Sequence, residues 1–195
     1  MVVISLDYYV YEKAFQWLQK FSDQLPTDFR ISLNVSPLHF EEPEIFVKKI
    51  RELIRTYHVD TFRLTFEITE STYVNNTEAV NCVIRGLKQH NIQISMDDFG
   101  SGYSSLNALK DLLFNEVKID RKFLGDSLTE NAKIVLQEVF HMLKRMGKSI
   151  VCEGVETEDI AEFLKEEGCD EIQGFLYYRP MCEEDFEKLF HTPTA

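Results

Sequence analysis

The chain alternates between short apolar runs that end on a polar residue and longer segments whose apolar positions recur every three to four residues. Ile31-Ser32-Leu33 runs into Asn34, the run from Phe62 to Phe66 into Glu67, and Ile92-Gln93-Ile94-Ser95-Met96 into Asp97-Asp98. Further on, Glu116-Val117 leads to Lys118-Ile119-Asp120, Ser149-Ile150-Val151-Cys152 to Glu153, and Glu171-Ile172 to Gln173-Gly174. Runs of this length predict strands. Between them, Phe46 to Tyr57, Ala79 to Leu87, Ile134 to Leu143 and Ile160 to Leu164 carry the spacing of helices buried on one face. Strand–helix alternation through short connections predicts a parallel sheet. Six strands with a polar residue at nearly every C-terminal end favour a (β/α) barrel, whose sites form at that face. An open doubly wound sheet is the competing topology, and it places its ligand at a single switch point.

The segment Met96-Asp97-Asp98-Phe99-Gly100-Ser101-Gly102-Tyr103 carries the most chemistry, because it delivers two adjacent carboxylates into a glycine-punctuated loop. Successive strand residues face opposite sides, so both acids serve one site only where the backbone turns. Gly100 and Gly102 are expected to make that turn, since glycine tolerates positive φ. Two acids held together repel unless a cation lies between them, and a divalent metal is the usual partner. A lone Asp-Asp reads better as a helix cap; the recurrence of polar strand ends tips the balance.

Asn34-Val35-Ser36, Glu67-Ile68-Thr69-Glu70, Asp97-Asp98-Phe99-Gly100, Lys118-Ile119-Asp120, Glu153-Gly154-Val155-Glu156-Thr157 and Gln173-Gly174 together resemble the successive motifs of the bacterial EAL domain. That family comprises cyclic di-GMP phosphodiesterases and their degenerate relatives. The resemblance runs in order from about Leu6 to Leu189, so residues 1–195 read as one domain, the C-terminal three-quarters of the family fold. The implied architecture is a TIM-like (β/α) barrel of the EAL type with about six of eight strands. The Glu-Ala-Leu tripeptide that names the family, with its metal-binding glutamate and a nearby arginine, has no counterpart here. The first two strands are therefore expected to be missing, leaving sheet edges along Ile31–Val35 and Ile172–Tyr177 that invite pairing with another chain. Large apolar side chains that fill a barrel would face a gap.

Composition agrees with a single cytoplasmic domain: 44% hydrophobic and 12% aromatic residues supply a substantial core. No apolar stretch approaches the roughly 20 residues of a membrane helix, and the N-terminus lacks the basic region of a signal peptide. Cys82, Cys152, Cys169 and Cys182 form no Cys-x-x-Cys pair and read as reduced residues, and the five histidines show no zinc-type spacing. A net charge of −12 argues against a nucleic-acid polymer. Divalent ions would convert an acidic pocket into an anion site, which reconciles that charge with a phosphate ligand.

The resemblance implies Asn34, Glu67, Asp97 and Asp98 as metal ligands, hard oxygen donors suited to Mg²⁺ or Mn²⁺ in a two-ion site. It implies Glu153 as general base and Lys118 as the lysine at the attacking water. Gln173 and Glu156 would line the mouth, and Glu70 would anchor the Asp98–Tyr103 loop. Plainer readings stand beside these: Asn34 as a turn cap, Lys118 and Asp120 as a surface pair, Glu153 as a helix-leading acid, and Gln173 as a satisfied sheet-end amide. The expected activity is two-metal hydrolysis of cyclic di-GMP to linear pGpG, with a homodimer or partner chain completing the barrel. Loss of one ligand and an arginine weighs against turnover by this chain alone. The alternatives are an inactive module that binds cyclic di-GMP, and a dimerisation or regulatory fragment.

Overall fold

A computed structural model describes residues 2–101, 113–125 and 128–191. Strands β1 (Ile31–Asn34), β2 (Leu64–Thr69), β3 (Gln93–Phe99), β4 (Glu116–Ile119), β5 (Ser149–Cys152) and β6 (Glu171–Ile172) form one sheet in chain order. Every neighbouring pair is parallel. The helices are α1 (Val2–Phe21), α2 (Pro43–Tyr57), α3 (Glu70–Asn75), α4 (Thr77–Lys88), α5 (Glu130–Arg145), α6 (Glu158–Glu166) and α7 (Glu183–His191). The predicted strands and helices are all present, with bounds extended or shifted by a few residues; Phe62 and Arg63, expected in the second strand, lie in a 3-10 turn before it. Three of the helices start where local chemistry favours it. Pro43 occupies the first turn of α2, and Thr69 and Thr129 accept backbone N–H groups to cap α3 and α5.

The core lies between sheet and helices. Leu64, Phe66 and Ile68 of β2 and Ile94 and Met96 of β3 are buried with Phe46 and Ile50 of α2 and Val80, Val83, Ile84 and Leu87 of α4. Gly86 permits the close approach of α4 to α2, since a Cβ there would lie 2.9 Å from the Val47 methyls. The alternate strand positions look the other way. Ser32, Thr65, Glu67, Glu116, Lys118, Val151 and Glu171 line a lumen of about 130 Å³, with Asp28, Arg30 and Gln173. The apolar filling expected of a barrel is thus replaced by polar side chains, because the apolar period-two set is committed to the helix face.

The sheet curls into a half-barrel with β1 and β6 at its edges, as predicted. Residues 175–177, expected along the second edge, instead form a turn. The two ends of the sheet are drawn together by helices. Phe186 and Phe190 of α7 pack on Trp17 of α1 and on Phe29, with ring centroids 5.5 to 6.3 Å apart. Lys20 and Glu187 add an exposed ion pair at 3.4 Å. No helix among the described residues is long and apolar enough to cross a membrane.

Candidate active site at the C-terminal strand ends

The site begins with an irregularity in β3. The β3–β4 register shifts between Met96 and Phe99, and Asp98 takes a left-handed φ of 57°. This bulge breaks the two-residue alternation and brings neighbouring acids to one mouth. The turn is therefore made by Asp98 together with Gly100, one of the two glycines expected to make it. Asp is among the few residues other than glycine that enter this region readily. Gly100 is still required, with φ at 89° and a position where any Cβ would run into the Phe123 ring. Gly102 and Tyr103 lie outside the described residues.

Lys118 is the centre of the mouth. Its Nζ lies 2.6 Å from Glu153 Oε1, 2.9 Å from Glu67 Oε1 and 3.2 Å from Asp97 Oδ1. Strand geometry dictates this convergence. Glu67 stands opposite Ser95, two residues before Asp97, and Lys118 opposite Val151, two residues before Glu153, so neighbouring strands deliver these side chains in staggered steps to one mouth. Burial pushes the ammonium toward its neutral form, but Glu67, then Glu153 and Asp97, outweigh that and hold it above the usual lysine range. The surface-pair reading of Lys118 and Asp120 is overturned, since they are only 5% and 7% exposed.

The carboxylates respond to the same burial. Desolvation raises the Glu153 carboxyl above its ordinary range, against the pull of Lys118. Asp98 is also raised, first by burial, then by Asp97 and by a hydrogen bond with Asp120. Asp97, Asp98 and Glu153 present oxygens within 4.8 Å of one another, close enough to share a metal ion. Glu67 stands outside that group and is engaged by Lys118. The buried Asp97 Oδ1 makes no hydrogen bond, its contact with Lys118 lacking the required geometry. A buried carboxylate oxygen with an ion-pair contact but no hydrogen bond, beside two more acids, fits a divalent cation, which takes hard oxygen donors.

The remaining candidates sit on the rim. Glu70 is buried and accepts the Gly100 N–H at 3.0 Å, tying the start of α3 to the β3 loop. Asn34 closes β1 opposite Glu67, with its side chain exposed and its backbone carbonyl held by the Tyr11 hydroxyl at 2.7 Å. Gln173 lines the lumen beyond β6, and Glu156 is exposed before α6. Sequence reasoning gave Asp120 no functional role. It accepts the Lys122 N–H at 2.7 Å and bonds Asp98. Its position two residues after Lys118, on the same strand-end periodicity, was the available signal. Tyr11 was missed too, for nothing in its helix marks it as reaching Asn34.

The geometry defines an α/β half-barrel carrying acids around a buried lysine at the C-terminal ends of its strands. Residues 2–180 match the EAL domain family, and the chain belongs to it. MucR of Pseudomonas aeruginosa, a bifunctional diguanylate cyclase/cyclic di-GMP phosphodiesterase, is 34% identical over 184 residues, covering 94% of this chain and 27% of that protein. The solved PaMucR phosphodiesterase in complex with c-di-GMP superposes with a TM-score of 0.87 at 32% identity, covering 95% of this chain and 75% of that one. The EAL domain of Mycobacterium smegmatis DcpA gives 0.89 at 28% identity, covering 98% and 86%. The chain spans about a quarter of the length of the first curated relatives it matches, 26% and 27%.

Proposed function

We propose that this chain is a cyclic di-GMP phosphodiesterase domain of the EAL type, opening the cyclic dinucleotide to linear pGpG by metal-dependent hydrolysis. The observation that carries the reading is the grouping of Asp97, Asp98 and Glu153 beside Lys118 at the strand-end mouth, in a family whose relatives include named cyclic di-GMP phosphodiesterases. Asn34, Glu67, Asp97 and Asp98 are the residues that would hold Mg²⁺ or Mn²⁺. Such ions supply an activated water and neutralise charge on the phosphoryl oxygens.

The protein's own groups divide the remaining work. Glu153, its proton affinity raised by burial, takes the proton of the attacking water, a task favoured by a pKa shifted toward neutrality. Lys118 orients that water and offsets the negative charge of the acids. Gln173 and Glu156 position the substrate at the rim, and Glu70 holds the loop at Gly100. The open edges of β1 and β6 suit a second copy or a partner chain that completes the barrel, and the site operates in the cytoplasm. One observation favours a second reading, an inactive module that binds cyclic di-GMP. Lys118 contacts three carboxylates by itself and can balance them without metal.

Incubation of the purified chain with cyclic di-GMP and Mn²⁺ or Mg²⁺, with an EDTA control, separates these readings. Metal-dependent pGpG supports the hydrolase. Unchanged cyclic dinucleotide together with a ligand-induced rise in melting temperature supports the binding module.

A further inference from the structure

Strand β1 pairs only with β2 among the described residues, so one of its backbone faces is open. In the β1–β2 ladder the Val35 N–H donates to the Glu67 carbonyl at 2.9 Å, and Asn34 stands opposite Glu67 in register. Along a strand, successive peptide groups point to alternate sides. The Asn34 carbonyl is therefore directed away from β2, toward the open edge. It is met there by Tyr11 Oη at 2.7 Å. Tyr11 is 1% exposed, and its ring packs edge-on against Phe66 of β2 at 5.5 Å and Phe46 of α2 at 6.2 Å. The hydroxyl is thus fixed to the face of β2 while it holds the end of β1. A second tie follows immediately, as the buried His39 Nε2 lies 2.9 Å from Asp7 Oδ2. Helix α1 so grips the chain at Asn34 and again downstream at His39.

We infer that Tyr11 is a positioning residue for the proposed metal mouth, acting through Asn34. Its hydroxyl fixes the backbone carbonyl of the residue whose amide this reading places at the mouth. By strand alternation, that amide shares the lumenal side with Ser32. The inference rests on the reading of Asn34 as a metal ligand and adds the device that holds it in place on a sheet edge. Groups that orient a ligand influence metal affinity strongly although they never touch the ion.

The test is a Mn²⁺ titration followed by electron paramagnetic resonance of the free ion, on wild type, Tyr11→Phe, Asn34→Ala, the double variant and Asp97→Asn. Tyr11→Phe keeps the packed ring and removes only the hydroxyl. It is expected to weaken Mn²⁺ binding about 10-fold, while the double variant binds no worse than Asn34→Ala. That non-additivity is the signature of action through Asn34. Wild-type affinity in Tyr11→Phe, or losses that simply add, would overturn the inference while leaving the metal site intact. Unaltered binding in Asp97→Asn would instead overturn the metal reading, and the inference with it.

Discussion

The central strands β2 to β5 and the edge strands β1 and β6 all carry polar residues at or just beyond their C-terminal ends, yet they hold them in different ways. Glu67, Asp97, Lys118 and Glu153 each have strands on both sides, and their side chains meet one another at 2.6 to 3.2 Å through the lysine. Asn34 and Gln173, on the edges, have exposed side chains. In the centre, two flanking ladders fix the backbone and burial amplifies every charge. At an edge one ladder is absent, so orientation depends on ties from outside the sheet, such as Tyr11 to Asn34. The centre is held by electrostatics, the rim by scaffolding.

Breaking the centre should have the largest effects. Asp97→Asn removes one charge at the bulge while preserving shape. Metal-dependent turnover of cyclic di-GMP is expected to fall by more than about 100-fold with an unchanged circular dichroism spectrum; a variant of wild-type rate would exclude metal chemistry at this bulge. Lys118→Met leaves Glu67, Asp97 and Glu153 without their shared cation. Unfolding by urea should report a loss of about 3–5 kcal/mol, the cost of stranding buried charge, with part of it restored by Mn²⁺. Equal stability would mean that the lysine does not hold the centre together.

A smaller effect separates the lumen from the mouth. Glu116 lines the lumen and its carboxyl is raised, first by burial and then by Glu171 and Glu67, against the pull of Lys118. The folded state thus binds this proton more tightly than the unfolded chain, whose value is near 4.5. Its unfavourable contribution is full above the raised folded pKa and fades as pH falls toward 4.5. Glu116→Gln should therefore stabilise the protein by about 1 kcal/mol at pH 8, discounted for its remaining solvent contact. The gain should shrink on acidification to pH 5, and a gain independent of pH would contradict a burial cost borne by the charge. Smallest of all, Gln173→Ala on the edge should change stability by less than about 0.5 kcal/mol. A larger drop in the melt would show that the rim is held as tightly as the centre.

How much of this was legible beforehand follows the same division. Glu67, Asp97, Lys118 and Glu153 were visible as polar terminators of apolar runs, because a parallel sheet aligns such terminators at one face. Asp97 and Asp98 were recognised as needing a turn, and Gly100 takes the positive φ expected of it, but Asp98 enters the left-handed region as well. That omission of Asp98 has a physical origin. Glycine advertises positive φ in any sequence, whereas an aspartate enters that region more readily than most residues but gives no local sign of where it does. The polar lumen was misread because barrel fillings are usually apolar, although the alternation Ser32, Thr65, Glu67 and Glu116, Lys118 already spelled it out. Tyr11 could not have been found, since its partner lies 23 residues away and is a backbone atom.

The sequence by itself determined the parallel α/β architecture, the order of the strands and the set of polar groups delivered to their C-terminal ends, since periodicity and run termination are local properties. Only the tertiary structure decided which of those groups meet. It set Lys118 among three carboxylates, placed Glu153 rather than Glu67 in the group with Asp97 and Asp98, and linked α1 to the open edge of β1. The physical reason is that register, curl and side-chain reach depend on contacts between distant segments, and those energies are shared across the whole fold.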